Sequence, residues 1–480
     1  MTMYTKIAHT PDPRTGSPKI HAPGVYGAST GKPLLWRIPT TGARPIAFAI
    51  DNLPDGLTLD TESGILSGQI ATDGEYTLQI HAENALGTDT KTVRLVIAPD
   101  TRCLTPLLGW TSWNAMQQFV SHEKIAHVAD RLVESGLADY GYQYVNIDSG
   151  WQGVYGGKFG AVVASPAFPD MHETVAHIHS YGLKAGIYST PMQKAWGDTE
   201  APGCTKGPLD PRYNNTYFGI GQVHCEKENA AQWADWGFDY CKYDWGPCDT
   251  ENAKLMKDAL EGTDRDFAFC VTVSADWWFR DFWVANCTSF RSNNDSMDRW
   301  DNVLGRFDSD RWASVTGHGH YFDLDMLEVG TQCDKECRLT EDEQLVTFTI
   351  RAVFPSPIQL SCDLDRLTPF EKDLFMNDEV LSVNQDALGI CAYCADEHRT
   401  HDKEHTLRQY TKLYIKPLSD GSHALAFFNL GEEEAELSLP AEYDSAVRDV
   451  WAKEDLTVES LRAFRMMPHT ARLFRVFPRG

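Results

Sequence analysis

Gly237-Phe-Asp-Tyr-Cys-Lys-Tyr-Asp-Trp-Gly246 is the stretch on which the fold turns. Residues 238 to 243 are short, apolar and aromatic, with acids at both ends and glycines outside them. That is the pattern of a strand buried on both faces. Glu226 to Trp236 before it and Thr250 to Leu260 after it read as amphipathic helices. A strand set between two helices is the unit of a parallel sheet. Lys242 and Asp244 then stand at its buried end, where charge is costly without a partner or a purpose. One reading is an ion pair or a helix cap. The other makes Asp244 a nucleophile or base, with Lys242 beside it to bind substrate hydroxyls.

Outward from this unit the same alternation repeats. Leu107 to Trp110 reads as a first strand, and Ser121 caps a helix whose apolar stripe is Ile125, Val128, Ala129, Leu132 and Val133. Tyr144 to Asp148 is a second strand and Met171 to Tyr181 a second helix. Lys184 to Ser189, Asp239 to Asp244 and Ala268 to Val273 are the third, fourth and fifth strands. Further strands are expected before Arg291, from His320 to Met326 and over Pro357 to Leu360. Eight strands alternating with helices suit a (β/α)₈ barrel. A doubly wound open sheet is the alternative, but no Gly-rich phosphate loop follows the first strand.

The flanks are different. Residues 1 to about 35 are rich in Pro, Gly and Thr and read as irregular. Short alternating runs from Pro45 to Pro99 predict a small antiparallel sandwich, and such runs return from about residue 391. The expected division is an N-terminal segment with an Ig-like β-sandwich over 1–100, the catalytic barrel over 101–390 and a C-terminal antiparallel β-sandwich over 391–480. The N-terminal module could bind sugar or act as a spacer packed on the barrel.

The chain of 480 residues carries 68 acids against 43 bases, a formal charge of −25. That argues against nucleic acid or an anionic membrane as a partner. No apolar run is long enough to span a bilayer. The first residues lack the apolar core of a signal peptide. A cytoplasmic protein is expected, or a secreted or periplasmic one if the sequence is a mature form. The twelve cysteines are spread thinly; Cys333/Cys337 and Cys391/Cys394 have the count but not the spacing of a zinc site. Reduced, mostly buried thiols and no metal are expected. Self-association into a homo-oligomer is left open.

In a barrel, chemistry sits at the C-terminal ends of the strands. Asp148, Tyr188 and Asp244 lie at the ends of the second, third and fourth strands; Asp295 follows the sixth, and Asp323 and Asp325 follow the seventh. Carboxylates from different strands aimed at one mouth suit glycoside hydrolysis, where one attacks and one donates a proton. Trp110, Trp113, Trp151, Trp277 and Trp278 lie in or near the same loops, with faces suited to stacking on sugars or to core packing.

These segments together resemble glycoside hydrolase family 27, the α-galactosidase and α-N-acetylgalactosaminidase family. Leu108-Gly-Trp-Thr-Ser-Trp-Asn114, Tyr144 to Asp148, Gly186 to Ser189, Trp236 to Asp244, Arg291 to Asp295, Asp323-Leu-Asp-Met-Leu-Glu-Val-Gly330 and Ser382 to Gly389 are similar to its motifs and follow its order. Pro54 to Gly68 resembles the immunoglobulin-like modules found beside bacterial sugar hydrolases. The resemblance implies a retaining exo-hydrolase of terminal α-linked galactose or a C2- or C6-modified relative, acting on an oligosaccharide or glycoconjugate without a cofactor. β-L-Arabinopyranosidase, α-N-acetylgalactosaminidase or a non-catalytic sugar binder on the same scaffold are its alternatives. It implies Asp244 as nucleophile and Asp295 as general acid/base, with Trp113, Asp148, Ser149, Trp151, Tyr188, Lys242, Ser274, Trp277, Arg291, Asp325 and Met326 around the sugar. One departure stands out. The family's paired acids, which grip the 4- and 6-hydroxyls of galactose, appear here as Asp148-Ser149. The shorter, neutral Ser149 either leaves room for a bulkier or anionic group at carbon 6, or the long Met192 to Gln222 segment or a water fills the gap.

Overall fold

The computed structural model describes residues 2–3, 6–197, 200–444 and 446–478. Its centre is an eight-stranded parallel sheet: β1 (Leu108–Thr111), β2 (Tyr144–Ile147), β3 (Lys184–Ser189), β4 (Tyr240–Asp244), β5 (Ala268–Thr272), β6 (Ser289–Arg291), β7 (Tyr321–Asp323) and β8 (Ile358–Leu360). Neighbours pair in chain order, with Gly109 opposite Tyr144, Gly186 opposite Tyr240 and Tyr240 opposite Ala268. β8 returns beside β1, and a parallel bridge from Leu360 to Leu327, just past β7, closes the ring. This is a (β/α)₈ barrel. The expected helices are present as His122–Glu134, Met171–Ser180, Glu226–Trp236 and Thr250–Glu261. Ser121 caps the first of them, accepting from the Lys124 amide.

Two β-domains complete the molecule. At the N-terminal side, Val25–Ala28, Gly87–Ile97, Gly74–Asn84 and Ala47–Asp51 form one sheet, and Leu34–Arg37, Ile65–Gly68 and Leu57–Leu59 another. Strands Val25–Ala28 and Leu34–Arg37 correct the expectation that residues 1 to 35 are irregular. The first pairs parallel to the long strand Gly87–Ile97, a non-local contact that leaves no local alternation to read. Its side chains and those of the second sheet enclose a separate core around Trp36, Leu66, Leu78 and Ile80. The C-terminal sandwich is built on Leu407–Pro417, His423–Asn429 and Thr470–Val476. It packs on helix Glu341–Val353, where Trp451 Nε1 donates to Thr349 Oγ1 at 3.0 Å.

The N-terminal module seats on the barrel's lower face, away from the strand ends that carry the acids. Asp139, which precedes β2, is buried and accepts from Arg37 at 3.0 Å and Arg44 at 2.9 Å. Asp266, ahead of β5, accepts from Arg102 at 2.5 Å and from the Ser29 amide at 2.9 Å. Lys184, at the start of β3, lies between the rings of Tyr26 and Tyr144. Among the described residues no helix is long and apolar enough to cross a membrane. The twelve cysteines are unbridged.

Candidate active site

A cavity of about 270 Å³ opens at the C-terminal ends of the strands. Asp244 ends β4 and is 8% exposed on its floor. Its position follows from the strand itself: Tyr243 faces the packed shell and Lys242 and Asp244 the barrel interior, as period-two alternation requires. Thr272, ending β5 in register with it, donates to Asp244 Oδ1 at 2.5 Å. Burial pushes the Asp244 carboxyl above its ordinary value, and Lys242 and the Thr272 hydroxyl oppose that push. Lys242 Nζ donates to Asp148 Oδ2 at 2.8 Å. Burial would lower this ammonium, but Asp148, Asp244 and Asp325 hold it above its ordinary value.

On the opposite wall Arg291, at the end of β6, is almost wholly buried and bridges two carboxylates. Its NH2 meets Asp295 at 2.9 Å and its NH1 meets Asp325 at 3.0 Å. Asp295 stands at the rim with 71% of its side chain exposed. Burial works against ionisation of Asp325, yet Arg291, Arg306 and Lys242 outweigh it and hold the carboxyl at about 2. Asp325 therefore stays charged and fixes the guanidinium that touches Asp295. One wall of the cavity is a buried carboxylate with a donor on it; the other is an exposed carboxylate on a cationic tether.

The structure brings Trp113, Asp148, Lys242, Asp244, Arg291, Asp295 and Met326 to this one cavity. Asp325 stands immediately behind it, and Tyr188 lies under it with the Lys242 ammonium 5.6 Å from its ring centre. Burial, then Asp244 and Asp148, push the Tyr188 hydroxyl well up. Other expectations are corrected. Trp151 is 1% exposed, donates to the Tyr188 carbonyl at 2.9 Å and packs edge-on to Trp236, so its ring serves the core and offers no face to a sugar. Trp277 packs edge-on to Trp312 under Arg280, outside the cavity lining. Ser274 donates to Asn294 at 2.8 Å, beside the lining and not in it. Ser149 is fully buried and its hydroxyl donates to the Trp196 carbonyl, so that Trp196 of the long loop meets it directly.

Val273, Met297, Trp196, Ser296, Asn114 and Glu328 line or support the cavity and escaped the sequence reading as site residues. Trp196 sits in a long segment without periodicity, and a tryptophan in a polar loop was its one signal. Ser296 follows Asp295; its amide donates to Asp325 Oδ2 at 2.7 Å. Asn114 and Glu328 lie inside the quoted motifs, joined by a 2.7 Å hydrogen bond from Asn114 Nδ2 to Glu328 Oε1. The Ser296 hydroxyl lies 3.2 Å from that same oxygen. Burial, then Asp325, push Glu328 up to about 7.

A (β/α)₈ barrel whose mouth holds a buried and an exposed carboxylate on one small cavity is the arrangement glycoside hydrolysis requires. Residues 105–386, more than half of the chain, match the family described as Alpha galactosidase A. Residues 409–476 match its C-terminal beta sandwich domain, and residues 15–98 match an Ig domain family. The chain belongs to the α-galactosidase family, glycoside hydrolase family 27. It is 30% identical over 389 residues to α-galactosidase 2 of Arabidopsis thaliana, covering 77% of this chain and 89% of that one. A Bacteroides fragilis protein assigned provisionally as an α-galactosidase/melibiase superposes with a TM-score of 0.85 at 28% identity, over 97% of this chain and 99% of that one. A β-L-arabinopyranosidase from Geobacillus stearothermophilus shares the fold, with a TM-score of 0.66 at 22% identity over 78% of this chain and 97% of that one.

Proposed function

We propose that the protein is an exo-acting glycosidase that removes a terminal galactose or galactose-like sugar by retaining double displacement. Asp244 is the nucleophile and Asp295 the general acid/base. The observation that carries this reading is the pairing of the two in one cavity of about 270 Å³, a volume suited to one sugar ring. In the first step the Asp244 carboxylate attacks the anomeric carbon, and the bond to the leaving oxygen breaks as that oxygen takes the proton of Asp295. In the second, water gives a proton back to Asp295 and attacks the same carbon, and the ester to Asp244 breaks. The Thr272 hydrogen bond aims the nucleophile, and the exposure of Asp295 lets leaving group and water reach it. Lys242 with Asp148, and Arg291 with Asp325, hold ring hydroxyls. Double displacement of this kind calls for no metal or organic cofactor.

Asp244→Asn tests the reading, because an amide cannot form the glycosyl ester. It should lower kcat on an aryl α-galactoside at least about a thousandfold, several kcal/mol of barrier, without altering the fold. An Asn variant that keeps more activity than that overturns the assignment.

A further inference from the structure

Residues 292 to 299, between β6 and helix Trp300–Gly305, belong to no helix or strand, and Asp295 stands in their midst. Its carboxylate is at the rim, met by Arg291 at 2.9 Å. A contact at the tip of an exposed side chain does not fix the backbone from which that side chain starts. Yet a general acid has to come within hydrogen-bond reach of the leaving oxygen, and a displacement of about 1 Å in a reacting group can cost about a hundredfold in rate. The loop therefore needs holding from behind.

Arg306, directly after that helix, is buried, and a buried cation is costly without partners. Its Nη1 donates to the Asn294 carbonyl at 2.8 Å and its Nη2 to Asn302 Oδ1 at 2.9 Å. The Asn302 amide carries the connection on. Its Oδ1 also accepts from the Met297 amide at 2.9 Å, and its Nδ2 donates to the Asp295 carbonyl at 3.1 Å. Turned over, the amide would set Nδ2 against two donors, so Arg306 fixes which way Asn302 faces. Backbone groups on both sides of the Asp295 Cα are thus tied to one pair of side chains a helical turn apart. The helix end is itself moored. Trp300 stacks on His469 at 4.1 Å, and Phe307 meets Phe428 edge-on at 5.0 Å, both partners belonging to the C-terminal sandwich. Asn293 adds a second tie, donating to the Gly305 carbonyl at 3.0 Å and to Ser309 Oγ at 2.8 Å.

We propose that Arg306 and Asn302 are positioning residues for the general acid/base: they fix the backbone on either side of Asp295, and so set where its carboxyl stands, from a helix moored on the C-terminal sandwich. The inference rests on the glycosidase reading above, in which Asp295 protonates the leaving oxygen. Neither residue lines the cavity, so neither acts by holding the sugar. Arg306 also lends its charge to Asp325, whereas Asn302 is neutral and acts on the loop alone.

The test measures kcat/KM of the full chain on the nitrophenyl and methyl glycosides of whichever sugar it cleaves fastest. Nitrophenolate departs without a proton and methoxide does not, so a misplaced acid shows on the methyl glycoside. Asn302→Ala and Arg306→Met should each lose at least about tenfold more on the methyl glycoside than on the nitrophenyl one. Should Arg306→Met fail to fold, Asn302→Ala decides alone, with its melting curve as the control. In an Asp295→Ala background there is no acid left to place, and adding Asn302→Ala should change either rate by no more than about twofold. A purely structural role would instead lower both substrates alike and add its loss to that of Asp295→Ala. Either of those results overturns the inference and leaves the glycosidase reading standing. If Asp295→Ala itself loses equally on the two glycosides, Asp295 is not the acid, and the reading falls together with the inference.

Discussion

Glu328 lies behind the cavity, where its environment takes it far from its ordinary chemistry. Held near 7 by burial and by Asp325, it keeps its proton at mildly acidic pH where an unfolded glutamate has lost it. The folded state therefore binds more protons than the unfolded state between about 4.5 and about 7, and stability falls as pH rises through that window. Glu328→Gln, which keeps the shape without the charge, should flatten the fall; melting curves from pH 5 to pH 8 of wild type and variant measure it. At the rim, Asp295→Ala should slow glycosides with poor leaving groups far more than activated aryl glycosides, which depart without a proton. Equal losses on both would make Asp295 a binding residue. Sequence served well at this scale where acids end strands: Lys242, Asp244 and Asp148 could be placed because alternation fixes which side faces the barrel axis. It failed for aromatic rings. Nothing local separates Trp151, sunk in the core, from Trp196, which the sequence leaves in an unpatterned loop.

Among elements, the first five barrel strands were legible because each is a run of four to six largely apolar residues between turn signals. β6, β7 and β8 have three residues each, too few to show a period, and their positions emerge from pairing. Helix Glu341–Val353 is buried almost all round, between barrel and C-terminal sandwich, so it lacks the polar face that betrays an amphipathic helix. The tightest point of the barrel is Gly186 on β3. A Cβ there would collide with the Asn146 side chain and lie 2.7 Å from the Tyr240 ring. Gly186→Ala should cost roughly 3 kcal/mol, the upper end for overpacking, and lower the denaturant midpoint accordingly. An alanine variant of ordinary stability would mean that the interior can shift.

For the molecule as a whole, the N-terminal module closes the lower face of the barrel while the chemistry faces the other way. That geometry favours the spacer reading of the module over sugar binding. Asp139 is the test, a buried carboxylate shared by two arginines of the module. Asp139→Ala leaves both guanidiniums without it, and losing one partner of a buried pair costs about 3 to 5 kcal/mol. The variant should melt earlier and expose the module to protease while its kcat at low temperature stays near that of wild type. The central claim is that Asp244 and Asp295 act in succession on one anomeric carbon. It is tested most directly by proton NMR of the first product formed from whichever aryl glycoside the enzyme turns over fastest. Two displacements at that carbon predict a free sugar that appears with the anomeric configuration of the substrate and only later mutarotates. A first product of inverted configuration would contradict the account.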